Sequence, residues 1–211
     1  MCGRYGLYNV NPDSETWVKP NRGYNFEPNY NVAPNQTMPV ITLKDGRKHL
    51  ELMNWGIHRV VGPDMEKDII NTRSDKALGR FWGKTIRNFR CLIPANGFYE
   101  WRRDGNNKIP FWIHPKKDEL FYFAGIYSVD DMGNKHYSIL TTEPNKEMKV
   151  IHNRMPVILD TSEEEKWLLA VDDVEISNFL HPFQDNGLEV DRVSTLVNST
   201  KNNSKRLLSK V

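Results

Sequence analysis

The sequence predicts an α+β domain, mainly an antiparallel, barrel-like β core with peripheral helices, spanning residues 1–211 as one unit. Three observations lead to this. Strand-like segments follow one another from residue 90 to 142, separated by turn chemistry and not by helices. Asp45-Gly46 separates two further such segments, the signature of a tight hairpin. There is no βαβ rhythm, and neither GxGxxG nor GxxxxGK(S/T) occurs, so nucleotide-cofactor chemistry is not expected and no cofactor is implied.

Taken in order, residues 1–35 read as a short strand followed by irregular segments rich in Asn, Pro and Tyr. Residues 37–43 and 49–55 are the two arms of the Asp45-Gly46 hairpin. Ser74 is a candidate cap for a helix running to about Asn88. Residues 90–102, 110–114, 120–129 and 136–142 are successive strands, with turn residues at 103–109 and 130–135. A short strand is expected at 155–159, and helices with acidic first turns at 162–170 and 174–180. The polar, basic tail from about Asn198 is expected to fray.

A chain of 211 residues with 38% hydrophobic and 11% aromatic content has the means to bury a core. A net charge of +2 gives no overall positive field, so a nucleic-acid partner would have to be held by a local patch. Two cysteines make no disulfide framework and suit a reducing, cytoplasmic setting. No apolar run approaches the length of a membrane span, so no membrane partner is expected. The N-terminus lacks the pattern of a signal peptide, which makes the sequons at Asn35, Asn198 and Asn202 chance matches. His49, His58, His114, His136, His152 and His181 show no HxH or HExxH spacing, and there is no CxxC, so no metal is expected.

The second residue is a cysteine. Removal of Met1 would leave Cys2 with both a free α-amine, of reference pKa about 7.7–8.0, and a thiol of about 8.5. Such a 1,2-aminothiol condenses with aldehydes: the amine forms a Schiff base and the sulfur closes a thiazolidine ring. It also attacks acyl carbons, with the amine as local base. On position alone Cys2 reads first as an ordinary small residue near a chain end.

Four further segments set polar groups among apolar ones. Asn71 and Arg73 follow the pair Ile69-Ile70, where the alternative is a turn capped by Asn71 and Ser74. Glu100 lies between Tyr99 and Trp101; a carboxyl walled by aromatics is one way to place an acid–base group near neutral pH, and the alternative is a solvent-facing Glu on a half-buried strand. Cys91 reads as a small core residue. Thr141 and Thr142 end an apolar strand, where Thr is also simply at home. His152 and Arg154 precede another apolar strand, offering a proton carrier and a phosphate clamp, or a structural His.

These segments together resemble one family. MCGRYG (residues 1–6), YNVAP (30–34), NTRSD (71–75), CLIPANGFYEW (91–101), TTEPN (141–145), HNRMPVIL (152–159) and VSTLVN (193–198) occur in the order and spacing of the SOS response-associated peptidase (SRAP) family, over nearly the whole chain. The resemblance implies the SRAP fold and a protein that senses abasic sites in single-stranded DNA. In that reading the processed Cys2 captures the ring-opened sugar aldehyde as a stable thiazolidine crosslink that shields the lesion. The family name records a peptidase activity that includes self-removal of Met1. By motif, Cys2 would be the nucleophile, Asn71 would orient ring and sugar, and Glu100 would shuttle protons. His152 would assist sugar ring opening. Arg4, Arg73 and Arg154 would hold phosphates, Thr142 would line the pocket, Trp101 would support Glu100, and Asn31 and Pro34 would border the DNA groove. The implied partner is single-stranded DNA bearing abasic sites, bound by a monomer.

One departure stands out. After Trp55-Gly56 the family pattern continues through a proline to a second tryptophan that helps to part bases, whereas here Ile57-His58-Arg59-Val60-Val61 follows. Two readings from other classes remain open: an N-terminal-nucleophile hydrolase, because class II glutamine amidotransferases also open Met-Cys-Gly, and a non-covalent single-strand binder using arginines and tryptophans as a stacking platform.

Overall fold

The computed structural model describes residues 2–10, 27–63, 65–116 and 120–211. Met1 and the irregular stretch expected through residues 11–26 lie outside the described residues. β1 (Arg4–Leu7) and β2 (Asn29–Val32) pair antiparallel. β3 (Thr37–Lys44) and β4 (Arg47–Trp55) form the expected hairpin, with Asp45 and Gly46 both at positive φ (49° and 70°), as a type I′ turn requires. β5 (Ile57–Gly62) and β6 (Met65–Ile69) make a separate two-stranded hairpin, and β7 (Asn71–Arg73) leads into α1 (Ser74–Ala77) and α2 (Gly83–Asn88). Next come β8 (Arg90–Ala95), β9 (Gly97–Asp104), β10 (Asn107–Pro115), β11 (Phe121–Val129) and β12 (Lys135–Thr142). They are followed by α3 (Lys146–Lys149), β13 (Met155–Pro156), β14 (Ile158–Leu159), α4 (Glu164–Leu169), α5 (Asp173–Ser177) and β15 (Leu188–Arg192), then 3-10 turns at Thr195–Asn198 and Lys205–Leu208.

The larger sheet runs β13-β12-β4-β3-β8-β11-β14; because β11 also pairs with β12, strands β12, β4, β3, β8 and β11 close into a barrel-like ring. The smaller sheet runs β15-β10-β9-β1-β2. Pairing is antiparallel apart from β12 with β4 and with β7. The fold is the mainly antiparallel α+β architecture that the sequence predicts. Strand β8 is buried on both faces and reads as a continuous apolar run for that reason. Its Ile93 joins a cluster with Tyr5, Phe98, Trp55, Phe123 and Tyr137 that bonds the two sheets, while its Leu92 packs with Tyr122, Trp82, Ile86 and Trp167 beneath the helices.

The structure corrects several expectations. The segment 90–102 is two strands, because Asn96 turns the chain from the larger sheet into the smaller one. Its side-chain oxygen accepts from the N–H groups of Tyr8 (2.8 Å) and Asn9 (3.0 Å), and its amide donates to Asn9 O (2.9 Å), a side chain standing in for a peptide. The helix expected over 74–88 is interrupted between Ala77 and Gly83, and Ser74 does not cap it. The strand at 155–159 is two short bridges on opposite sides of Val157, and the helices at 162–170 and 174–180 shrink to α4 and α5. Strands β2, β5, β6 and β15 went unread; β5 and β6 show no polar–apolar alternation and are largely exposed on both faces. Among the described residues no helix is long and apolar enough to cross a membrane.

The tail from Asn198, expected to fray, is instead anchored. Asn31, fully buried, donates through Nδ2 to the carbonyls of Ser199 (3.0 Å) and Asn202 (2.9 Å), with Val197 O at 3.4 Å. Leu207 is buried, Val193 bridges to Lys210, and the Val211 N–H reaches Arg192 O at 3.0 Å. A polar tail can dock without a large apolar face when a buried amide satisfies its carbonyls. Replacing Asn31 by Ala takes the donor from Asn202 O and leaves Ser199 O and Val197 O with only the Asn202 N–H and Arg4 Nη1, so urea denaturation of Asn31→Ala should show a loss of about 1–3 kcal/mol; an unchanged midpoint would remove the tail anchor.

Candidate DNA-binding and nucleophile site

Strand pairing brings the N-terminus to the candidate site residues. β1 lies antiparallel to β9 with Arg4 opposite Tyr99, so the residues before Arg4 run alongside Glu100 and Trp101. This placement depends on the glycine pair Gly6 and Gly97, which face each other across the two strands under the Trp112 ring. A Cβ on Gly97 would lie 2.3 Å from Trp112 Cζ2 and 2.7 Å from Ile113 O. From the other side, β7 pairs parallel with β12, Asn71 beside Ile139, and Asn71 Nδ2 donates to Cys2 O at 2.7 Å. The other amide atom, Asn71 Oδ1, is buried with no hydrogen-bond donor among the described residues.

Cys2 is fully buried in the chain that carries Met1. Its Sγ lies 3.5 Å from Arg4 O. Burial, then the negative charge of Glu100, push the Cys2 thiol well above the ordinary cysteine value. Glu100 is buried too, with Oε1 accepting from the Trp101 N–H at 3.1 Å. His152 follows α3; its N–H donates to Met148 O (2.8 Å), and its Nδ1 lies 3.1 Å from the Arg154 N–H. That contact makes Nδ1 the acceptor and leaves the proton of the neutral ring on Nε2. Burial lowers the His152 pKa, against an opposing pull from Glu100.

Glu100, Trp101, His152 and Arg4 line one cleft of about 550 Å³, together with Gly3, Arg103, Lys108 and Asn198. Arg4 is a bridge as much as a cleft residue: Nη1 donates to Asn31 Oδ1 (2.8 Å) and Val197 O (2.9 Å), and Nη2 to Asn198 O (3.3 Å). Trp101 Nε1 donates to Asn198 Oδ1 at 2.8 Å, so the anchored tail forms one wall. Arg73 and Arg154 make a neighbouring cationic pair around Asp75. Arg73 holds Asp75 with two hydrogen bonds (2.9 and 2.7 Å), and Arg154 Nη1 is 3.8 Å from the same carboxylate while Nη2 donates to Thr141 O. The carboxylate separates two guanidinium groups that would otherwise repel, in the manner of a phosphate.

Not every expected residue joins this set. Thr142 is buried, and its hydroxyl turns to Leu180 O (3.4 Å). Asn31 is spent on the tail, and Pro34 sits at the turn before β3, outside the cleft lining. Asn71 and Ser74 do not act as caps; Asn71 holds Cys2 instead. His58, in the segment that stands where the family pattern has its second tryptophan, is engaged on the β5–β6 hairpin by Asp68 (3.0 Å) and Glu66 (3.4 Å). Cys91 is a buried core residue. His114, Glu189 and Asp191 gather between β10 and β15, where Lys210 Nζ, 2.9 Å from Asp191, supplies a cation. Arg103 and Lys108 went unread; the adjacent Arg102-Arg103 and the lone Lys108 carry no sequence pattern that singles them out.

Comparison with known proteins decides the lineage. The sequence model described as SOS response associated peptidase (SRAP) matches residues 1–200. The chain belongs to the SRAP family. Among relatives of this SRAP chain, the "Abasic site processing protein YoaM" of Bacillus subtilis is 36% identical across 99% of this chain and 97% of its own length. The "Abasic site processing protein HMCES" of Gallus gallus is 29% identical over 91% of this chain and 68% of its own. A crystal structure from Bacteroides thetaiotaomicron superposes with a TM-score of 0.73 at 28% identity, covering 87% of this chain and 85% of that one.

The geometry of this SRAP chain predicts a silent thiol. In the Met1-bearing chain, alkylation by iodoacetamide should stay slow and nearly flat from pH 7 to 9, where an exposed cysteine accelerates as it ionises. Rapid, pH-dependent labelling of Cys2 in the native chain would contradict its burial and raised pKa.

Proposed function

We propose that this chain captures the aldehyde of an abasic site in single-stranded DNA as a thiazolidine on Cys2, once Met1 has been removed. The observation that carries this reading is that Glu100 and His152 line a cleft with Arg4, Arg103 and Lys108, while Cys2, tied by its carbonyl to Asn71, is buried close enough to Glu100 to feel its charge, in a chain whose relatives are named abasic site processing proteins. The burial of Cys2 belongs to the unprocessed chain. Loss of Met1 turns the Cys2 peptide nitrogen into a free α-amine.

The chemistry balances with one water lost. The neutral α-amine adds to the sugar aldehyde to give a carbinolamine. A proton delivered to its oxygen expels water and leaves an imine. The sulfur then bonds to the imine carbon, and the thiol proton passes to the nitrogen. Glu100 is the group suited to carry these protons, being buried and close enough to Cys2 to act on its ionisation. Asn71 Oδ1, a buried acceptor, is placed to receive an N–H of the liberated amine and orient its lone pair. His152 keeps the proton on Nε2, available to the sugar oxygen during ring opening. Arg4, Arg73 and Arg154 are the groups for the flanking phosphates, which position the strand without reading sequence.

An oligonucleotide with one abasic site should therefore give a denaturation-resistant adduct with the processed chain and none with Cys2→Ala. Glu100→Ala should slow single-turnover adduct formation by about 100-fold or more; an unchanged rate would remove Glu100 from proton transfer. The lowered pKa of His152 means that the ring is neutral at pH 7 and becomes charged only below the ordinary histidine value of about 6.5. The adduct rate should fall as pH drops through that lower value, and His152→Gln should lack this His-dependent component; a profile identical in the two proteins would contradict the role. The same residues serve a second chemistry named by the family, peptide hydrolysis, which would be seen as thiol-dependent cleavage of peptides other than the Met1–Cys2 bond.

A further inference from the structure

At the edge of the cleft, the hairpin formed by β9 and β10 carries a like-charge pair. Arg103 and Lys108 are directly opposite each other in the register, both exposed. Like charges in that position oppose strand pairing. Neither residue makes an ion pair among the described residues, although acidic partners are taken up readily elsewhere on this surface, as at Arg87–Asp173 and Lys146–Asp185. Both line the cleft that holds Glu100 and His152. Lys108 also lines a second cleft of about 540 Å³, which contains Arg192, so the two clefts meet at this residue. Strand alternation puts Trp101 on the same face as Arg103, two residues nearer the reacting groups. An aromatic ring followed by unpaired cations is the arrangement that holds a single strand, base on ring and phosphates on cations. At the hairpin turn Asp104, the nearest carboxylate in the chain, faces the second cleft and disfavours phosphate beyond Lys108.

We infer that Arg103 and Lys108 form a phosphate clamp for one arm of the DNA strand, gripping the backbone on one side of the lesion and giving the site a directional footprint that ends at Asp104. The inference rests on reading the cleft as a single-strand DNA site. It adds that the two arms are held unequally, and that the β9–β10 hairpin holds one of them.

The test separates binding from crosslinking. Fluorescence anisotropy would follow binding of the processed chain to single strands carrying a tetrahydrofuran abasic analogue, which has no aldehyde to capture. Three oligonucleotides would be used: one with both arms, one shortened 5′ of the analogue and one shortened 3′. For the strand with both arms, Arg103→Gln/Lys108→Gln should lower the slope of log affinity against log salt by about 1.4, two phosphate contacts at about 0.7 each on a single strand. One truncation, and not the other, should erase the difference between variant and wild type. An equal difference on all three strands, or none on any, would overturn the clamp. Failure of the wild type to bind any of the three would overturn the clamp together with the reading of the cleft. Failure to crosslink a true abasic strand, with binding and its arm dependence intact, would count against the covalent chemistry alone.

Discussion

The hydrogen bond from Asn71 Nδ2 to Cys2 O is the constraint on which the site depends. It joins the first residues of the chain, held in the smaller sheet, to β7, held against β12 in the larger one. An N-terminus is ordinarily the least restrained part of a domain. Here β1 is sandwiched between β2 and β9, and the residue before it is tied by its carbonyl to the opposite sheet. In the proposed capture the amine and sulfur of Cys2 act in sequence on one carbon, and that restraint would hold both atoms in place for it.

The walls of the cleft are built by polar side chains that bond backbone. Asn96 replaces a peptide at the corner between sheets, Asn31 satisfies three tail carbonyls, and Arg4 spans from β1 to the tail. Through Asn198 and Trp101 the tail then touches the residue next to Glu100. Residues expected to touch DNA therefore divide into two kinds. Arg4, Arg73, Trp101 and Arg154 are positioned at or beside the cleft, whereas Asn31 and Thr142 act from within, holding the structure that shapes it.

Much of this was legible in the sequence because its signals are local. Asp45-Gly46 demands positive φ at both positions, and only a type I′ hairpin uses both. The doubly buried strand β8 shows as an unbroken apolar run. Four of the seven motifs, those at 1–6, 91–101, 152–159 and 193–198, supply residues that line the cleft. What was not legible depends on long-range partners. The break at Asn96 is set by Tyr8 and Asn9, almost 90 positions away, and the order of the tail by Asn31, more than 160 away. The β5–β6 hairpin hid because a strand exposed on both faces carries no amphipathic period. The cation pair Arg103–Lys108 becomes meaningful only once register sets the two residues opposite each other.

Intact mass spectrometry tests the central claim most directly. The purified chain should weigh one methionine less than its full sequence. After reaction with an abasic oligonucleotide it should gain the mass of the oligonucleotide minus one water, and Cys2→Ala should gain nothing. A chain that retains Met1, or one that loses Met1 and yet gains no mass, would contradict the account.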